Sequence, residues 1–358
     1  MQIRSPQTPA EVRQIEDLHQ AAWNLSERGV MPYNAIHAIM HAGGIVLAAF
    51  EGPRAVGFVL SFQGTVAGER AQWSHLAAVL PAYRRQGLAR QLKFAQREAA
   101  LAQGIRLMGW TFDPLRRENA HFNLEILGVE ARLYHPELYG PMPDALNAGL
   151  LSDRLEVHWH LKSGRVKALA KAKPKPLIFK PEALPPTLLS NQAGAPKFHP
   201  GPLDSPSYLL DIPADLEGLR AKSPGLAHEW YYALRELLGA AFGGGYKISR
   251  VYLPPDRPEV FCYLLEQDPV WLLYLLETGD GTFYAGITND LGARLAAHNA
   301  GRGAAYTAKR LPVKLLAAWR VGEQGAALKA ERAIKKLSRA QKAALVRGGG
   351  AFGDCPRI

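Results

Sequence analysis

Three things are scarce in this 358-residue chain. It has two cysteines, Cys262 and Cys355, far apart in sequence, which argues against a disulfide framework. It has no apolar run approaching the roughly 20 residues that a membrane span needs. The start, Met1-Gln2-Ile3-Arg4-Ser5, offers no apolar core of a signal peptide. These absences lead to the expectation of a reducing, cytoplasmic setting and no membrane partner. The third scarcity is acidic charge in two places. Residues 162–180 hold 7 Lys and Arg and no acid, and residues 268–358 hold 14 Lys and Arg against 7 Asp and Glu. The net charge of +11 therefore sits in those two stretches, and the remainder is slightly acidic. A basic module suits phosphate-rich partners, because each neutralised phosphate releases counterions. A solvated, solubilising surface is the plainer alternative.

What is present is enough for about two domains, with 47% apolar residues and no internal repeat. In residues 1–162, Thr8-Pro9-Ala10-Glu11 forms a capping box with proline at the first helical position, opening a helix to about residue 23. Apolar runs at 44–50, 55–62 and 72–79 read as strands. A long helical pattern runs to residue 103, then a strand at 105–111, a helix at 116–127 and a strand at 154–161. Residues 163–205, rich in Lys, Pro and Ala, read as a basic, extended linker. Residues 206–267 carry helices at 215–221 and 224–242, the second opened by Ser223-Pro224 and stopped by glycines 243–245, then strands at 246–253 and 260–265. Residues 268–350 read as strands 271–277 and 283–288 around Thr278-Gly279-Asp280-Gly281-Thr282, a hairpin signal. A helix at 291–298, a strand at 312–321 and helices at 326–337 and 338–346 complete a β-β-α-β-α-α order. The class is α+β, a mixed sheet with flanking helices plus a small second domain.

The last segment contains Leu273-Tyr274-Leu275 and Phe283-Tyr284-Ala285-Gly286-Ile287-Thr288, then Arg294 and His298, then Gly301-Arg302-Gly303-Ala304-Ala305-Tyr306-Thr307, and finally Ala327-Leu328-Lys329-Ala330-Glu331. In this order and spacing it resembles the GIY-YIG nuclease family, especially its small stand-alone bacterial members. The resemblance implies cleavage of phosphodiester bonds in DNA, including branched or damaged DNA. It implies Tyr274 as general base or water-positioning group, Tyr284 as its support, Arg294 as phosphate clamp, and Glu331 as ligand of one Mg²⁺ or Mn²⁺. An unperturbed tyrosine titrates near 10, too high for a base, so metal and arginine are expected to lower Tyr274. His298, one helical turn after Arg294, is placed to accept or relay its proton. Arg302, Lys309, Arg310, Lys314, Lys335 and Lys336 are the expected phosphate contacts, with Tyr306 stacking on a base. Glu331 and Lys335 alone also read as an ordinary surface pair. One geometric condition follows. A three-residue loop at 279–281 puts Tyr274 and Tyr284 on one sheet face, and a two-residue turn puts them on opposite faces.

Near the N-terminus, Arg84-Arg85-Gln86-Gly87-Leu88-Ala89 follows a strand and opens a helix. Backbone N–H groups there are free to receive an anion. In that setting the region resembles the GNAT N-acyltransferases. The resemblance implies acetyl-CoA or another acyl-CoA held through Arg84, Gln86, Gly87, Leu88 and Ala89, and a small amine or amino-acid acceptor. It makes 206–267 a C-terminal extension of the same region. Where such enzymes often carry a tyrosine acid, four residues before Gly128, this chain has Leu124. Tyr83, Tyr134 and Tyr139 are substitutes left unranked, and His75, Asp113 and Glu125 are candidate bases, each more readily read as structural. His158 and His160 form an i, i+2 pair that is weak evidence for a metal. The expectation is a fusion of an acyl-CoA-dependent N-acyltransferase with a metal-dependent endonuclease. The alternative is an acyltransferase whose second module only binds nucleic acid.

Overall fold

The computed structural model describes all residues except 26–28, 143–148, 173, 200 and 323. They fall into two units, Met1–Gln267 and Asp268–Ile358.

The first unit begins with β1 (Gln2–Arg4), α1 (Pro9–Trp23), α2 (Tyr33–His41), β2 (Ile45–Glu51), β3 (Arg54–Val66), β4 (Glu69–Val79), α3 (Leu88–Ala102) and β5 (Leu107–Phe112). It continues with α4 (Arg117–Ala120), β6 (Glu130–His135), β7 (Arg154–His160), α5 (Gly164–Lys171), β8 (Thr187–Gln192) and β9 (Ala195–Phe198). It ends with β10 (Ser207–Pro213), α6 (Leu216–Lys222), α7 (Pro224–Gly243), β11 (Tyr246–Tyr252) and β12 (Val260–Gln267). All twelve strands join one sheet in the order β1-β2-β3-β4-β5-β7-β6-β11-β12-β10-β8-β9. The β4–β5 pairing is parallel and confined to Gln72↔Met108 and Trp73↔Gly109. Thr8 caps α1 as expected, its hydroxyl accepting from Glu11 N–H at 3.2 Å.

Two expectations need correction. Residues 163–205 are not simply an extended linker. Ser163 caps α5 through the Val166 N–H, and Val166, Leu188 and Leu189 are buried in the core shared with α7 and β12. A few apolar residues on the right face outweigh a Lys- and Pro-rich composition. Positions 173 and 200 of that stretch lie outside the described residues. The expected helix over 116–127 is α-helical for one turn, then widens to a π-helix at His121–Leu127, ending at Gly128 with φ 75°. The strands β1, β6, β8, β9 and β10 and the helix α2 were not legible, β1 because three residues carry no period.

The second unit comprises β13 (Trp271–Glu277), β14 (Phe283–Thr288), α8 (Leu291–Asn299), α9 (Ala305–Ala308), β15 (Lys314–Gly322), α10 (Gln324–Lys336) and α11 (Arg339–Gly348). Its sheet runs β14-β13-β15, all antiparallel. One face, through Leu273, Leu275 and Trp319, packs with Ile334 of α10. The other, through Tyr274, Leu276 and Ala318, packs against Leu291 and Leu295 of α8. Alternation along β13 thus divides its side chains between two apolar layers. The capping box at the start of α11 is complete, Ser338 and Gln341 exchanging bonds at 3.3 and 2.8 Å.

Candidate active site

The β13–β14 register pairs Leu276 with Tyr284 and Glu277 with Phe283. The next pair is closed by Thr278 N–H donating to Thr282 C=O at 2.9 Å. The connection is therefore the three-residue loop 279–281, and Tyr284, opposite Leu276, faces the same side as Tyr274. Their ring centroids are 6.4 Å apart. Asp280 holds the loop, accepting from Thr278 Oγ1 at 2.7 Å and Thr282 N–H at 3.1 Å. These bonds and Arg310 keep its carboxyl well below the usual range.

The α8 helix delivers the other members. Asp290 caps it through the Ala293 N–H at 2.8 Å, and Arg294 and His298 lie one turn apart on one face. Arg294 Nε–H donates to the Tyr274 hydroxyl at 3.1 Å. The same hydroxyl lies 3.0 Å from His298 Nε2. Tyr284 closes the group, 5.3 Å from the His298 ring in an edge arrangement. Gly286 faces Tyr274 directly across the ladder. A Cβ there would press into the Tyr274 hydroxyl and come within 2.6 Å of Cζ. This glycine supplies room for the ring, not backbone freedom.

The Arg294 guanidinium acts on Tyr274 in the expected direction, but burial outweighs it. Burial pushes the Tyr274 phenol above its ordinary value, and Arg294 only partly offsets this. His298 moves the other way: burial, and then the Arg294 charge, hold it below its ordinary value. The pair therefore sits as a phenol beside a neutral imidazole, with a ready acceptor for the phenol proton.

Glu331 of α10 is part-buried and paired to Lys335 Nζ at 2.8 Å. Its charge reaches Tyr274, where it disfavours the phenolate. Among the described residues no group of three or more His, Cys, Asp and Glu could hold a metal ion. His158 and His160 therefore belong to no such group. His158 is instead bonded to Glu156 at 3.0 Å, a carboxylate shared with His135. A lone carboxylate suits a Mg²⁺ that keeps most of its waters and takes phosphate oxygens as ligands.

The expected nucleic-acid contacts divide. Arg302, Lys309, Lys314 and Lys336 are exposed. Arg310 is engaged, donating to Asp280 at 2.8 Å and lying 4.1 Å over the Tyr306 ring. Tyr306 stacks on Tyr284 with centroids 6.1 Å apart and donates to Thr282 Oγ1 at 2.9 Å. Arg310 and Tyr306 thus tie the segment before β15 to the hairpin, and Lys335 is held by Glu331. The sequence reading assigned no role to Thr307, which is fully buried beside His298. That contact is tertiary, and no local signal announces it.

In the first unit, residues 84–87 form a tight loop between β4 and α3. Gly87 caps α3 at φ 81° and Arg85 is also left-handed at φ 61°. Arg84 Nε–H braces the loop through Val79 C=O at 3.0 Å, and the Gln86 amide does so through Ala82 C=O at 2.9 Å. Leu88 is buried and Ala89 exposed. No side chain caps α3, so its first N–H groups are left to an external acceptor.

Leu124 is fully buried. Of the tyrosines, Tyr134 donates to Asp153 at 2.7 Å, and burial with that carboxylate pushes its phenol far up. Tyr83 is bonded to Glu51. Tyr139 is half exposed, with its hydroxyl 3.2 Å from Thr111 Oγ1. Glu125 is held by Arg250 and by the Val251 N–H, each at 2.8 Å. Asp113 accepts from Leu115 N–H at 2.9 Å and Tyr231 at 3.0 Å. Both carboxylates are structural in this arrangement, and His75 lies beside Phe62.

Residues 270–344 match the family described as the GIY-YIG catalytic domain. Residues 12–128 match the family described as the acetyltransferase (GNAT) family. A UPF0213 protein of Cupriavidus pinatubonensis is 49% identical over 74 residues, 21% of this chain and 82% of that protein. One from Halobacterium salinarum is 48% identical over 73 residues, 20% of this chain and 95% of that protein. Among solved structures, the ribosomal-protein-S18-alanine N-acetyltransferase from Escherichia coli is 14% identical, with a TM-score of 0.36, covering 46% of this chain and 95% of that chain. The chain belongs to the GIY-YIG family through its second unit, and its first unit carries a GNAT acetyltransferase domain.

Proposed function

We propose that the second unit is a metal-dependent endonuclease acting on DNA and that the first is an acyl-CoA-dependent N-acyltransferase. The observation that carries the nuclease reading is the Tyr274 hydroxyl, buried and held between the Arg294 guanidinium and the His298 imidazole. Hydrolysis of a phosphodiester needs an activated water and a charge clamp on the phosphoryl oxygens. Tyr274 receives a proton from the attacking water as its own passes to the neutral His298. Arg294 steadies the phenol oxygen and, with its remaining donors, a phosphate oxygen. Glu331 would hold Mg²⁺ or Mn²⁺, which supplies charge neutralisation at the scissile phosphate. The exposed Arg302, Lys309, Lys314 and Lys336 position the backbone without reading bases, so preference is by DNA shape, branched or damaged, and not by sequence.

For the first unit, what supports the reading is the uncapped start of α3 behind Gly87, where an acyl-CoA pyrophosphate can take the free N–H groups. Leu124 removes the usual proton donor, so Tyr139, half exposed and with its hydroxyl on Thr111 and on no carboxylate among the described residues, is the substitute we favour. The acceptor is a small amine or amino acid.

The nuclease reading is tested by incubating the full chain with labelled branched, nicked and linear DNA, with Mg²⁺ or EDTA, beside Glu331→Ala. Cleavage that EDTA and the substitution both abolish is expected. No cleavage of any substrate, or equal cleavage by the variant, rejects it. Binding of DNA without cleavage would favour a module that only holds nucleic acid. Thermal protection by acetyl-CoA tests the other unit, and no shift with any acyl-CoA refutes it.

A further inference from the structure

Thr307 is buried on the far side of His298 from Tyr274. Its Oγ1 lies 2.7 Å from His298 Nδ1, 3.0 Å from the Ala304 carbonyl and 3.3 Å from the Ala304 N–H. Gly303 makes room for this seat, because a Cβ there would press into the imidazole, 2.5 Å from Cγ. The hydrogens can be counted from the other end. Arg294 only donates, so the Tyr274 oxygen accepts its Nε–H. Tyr274 is 1% exposed, and its own hydrogen needs an acceptor, which His298 Nε2 at 3.0 Å provides. An imidazole with its hydrogen on Nε2 would leave that buried O–H facing another donor. The hydrogen therefore belongs on Nδ1, pointing at Thr307, whose own O–H is free to go to Ala304.

We infer that Thr307 is a positioning residue that fixes the tautomer of His298, accepting its Nδ1–H so that a bare Nε2 faces the Tyr274 hydroxyl. The catalytic consequence rests on the nuclease reading; the tautomer does not. In the reaction, a water proton moves to Tyr274 Oη and the Tyr274 proton moves to His298 Nε2. The water oxygen bonds to phosphorus, and the bond from phosphorus to the leaving sugar oxygen breaks. That oxygen takes a proton from solvent. His298 is then an imidazolium, its Nδ1–H still on Thr307. Without the threonine oxygen, an Nδ1–H has no acceptor in the seat and only the Tyr274 hydroxyl still opposes the Nε2–H form.

Two readouts on the full chain test this. In protein labelled with ¹⁵N-histidine, long-range proton–nitrogen correlation is expected to give the Nδ1–H pattern for His298 in the wild type and in Thr307→Ser. Thr307→Val, similar in shape but without the hydroxyl, is expected to show a mixture with Nε2–H. In DNA cleavage, Thr307→Val is expected to lose roughly ten- to a hundredfold in kcat with KM little changed, and Thr307→Ser to restore it. An Nε2–H pattern in the wild type overturns the inference, as does a pure Nδ1–H pattern or full kcat in a folded Thr307→Val. If Thr307→Val does not fold, the wild-type and Thr307→Ser patterns decide alone. Wild-type protein that cleaves no DNA rejects the nuclease reading, and the nitrogen spectrum still decides the tautomer.

Discussion

Substituting Gly286 by alanine adds one methyl group and should disable the second unit's site without unfolding the unit. The new Cβ would press into the Tyr274 hydroxyl and come within 2.6 Å of Cζ, distances that side-chain atoms do not tolerate. The ring is 1% exposed and anchored by Arg294 and His298, so it cannot swing away without breaking both bonds. Overpacking of this kind costs about 1–3 kcal/mol, and alanine in place of glycine in a strand recovers roughly 0.5–1 kcal/mol of chain entropy. The net loss, on the order of 1 kcal/mol, lowers the melting temperature of a domain this size by about 4–8 °C. Catalysis should suffer far more, because a misplacement near 1 Å costs on the order of a hundredfold. Circular dichroism melting and single-turnover DNA cleavage on the same preparation separate the two effects. A Gly286→Ala protein that cleaves like the wild type would refute the claim that this glycine exists to seat Tyr274.

Other outcomes follow from the same contacts. His298 must be neutral to take a proton, and burial with Arg294 holds it below its ordinary value of 6.5, so cleavage should rise with pH along an acid limb lying below pH 6.5; a limb well above that value would contradict the assignment. Lys93 is buried with no carboxylate partner among the described residues, 3.8 Å over the Trp110 ring and bonded to Ser74 at 2.8 Å, and burial lowers it to about 7. The unfolded chain binds that proton up to about pH 10.4, so its penalty is complete below pH 7 and fades as pH rises towards 10.4. Lys93→Met is therefore expected to raise the melting temperature at pH 6–7 and to flatten this dependence; an unchanged or lower value would count against it. Gly87→Val forces a branched residue into φ 81° and should abolish protection by acetyl-CoA in thermal melts, whereas retained protection would move the acyl-CoA site elsewhere.

Much of the second unit was legible because its signals are local. The two strands β13 and β14 follow from their apolar composition, and hairpin parity reduces to whether the loop has two residues or three. Asp280 settles that, accepting three bonds from Thr278 and Thr282 across the loop tip. Composition misled at 163–205, where a Ser163 cap and three buried aliphatic residues override the Lys and Pro content. It was silent on Thr307, and it treated Arg310 as a free cation where Asp280 and Tyr306 hold it. The His298–Thr307 and Asp280–Arg310 contacts join residues nine and thirty positions apart, and no periodicity encodes them. The candidate proton donors of the first unit could not be ranked until their partners were visible, because a tyrosine on Asp153 and a half-exposed tyrosine look alike in sequence.

The central claim is that Tyr274, between Arg294 and His298, activates the water that cleaves DNA. The measurement that tests it most directly is the single-turnover rate of Tyr274→Phe with Mg²⁺ on a substrate the wild type cleaves. The ring and its packing persist, and only the hydroxyl is lost. A fall of roughly 10²–10⁴-fold with DNA binding unchanged is predicted. A Tyr274→Phe protein that cleaves at the wild-type rate would contradict the account.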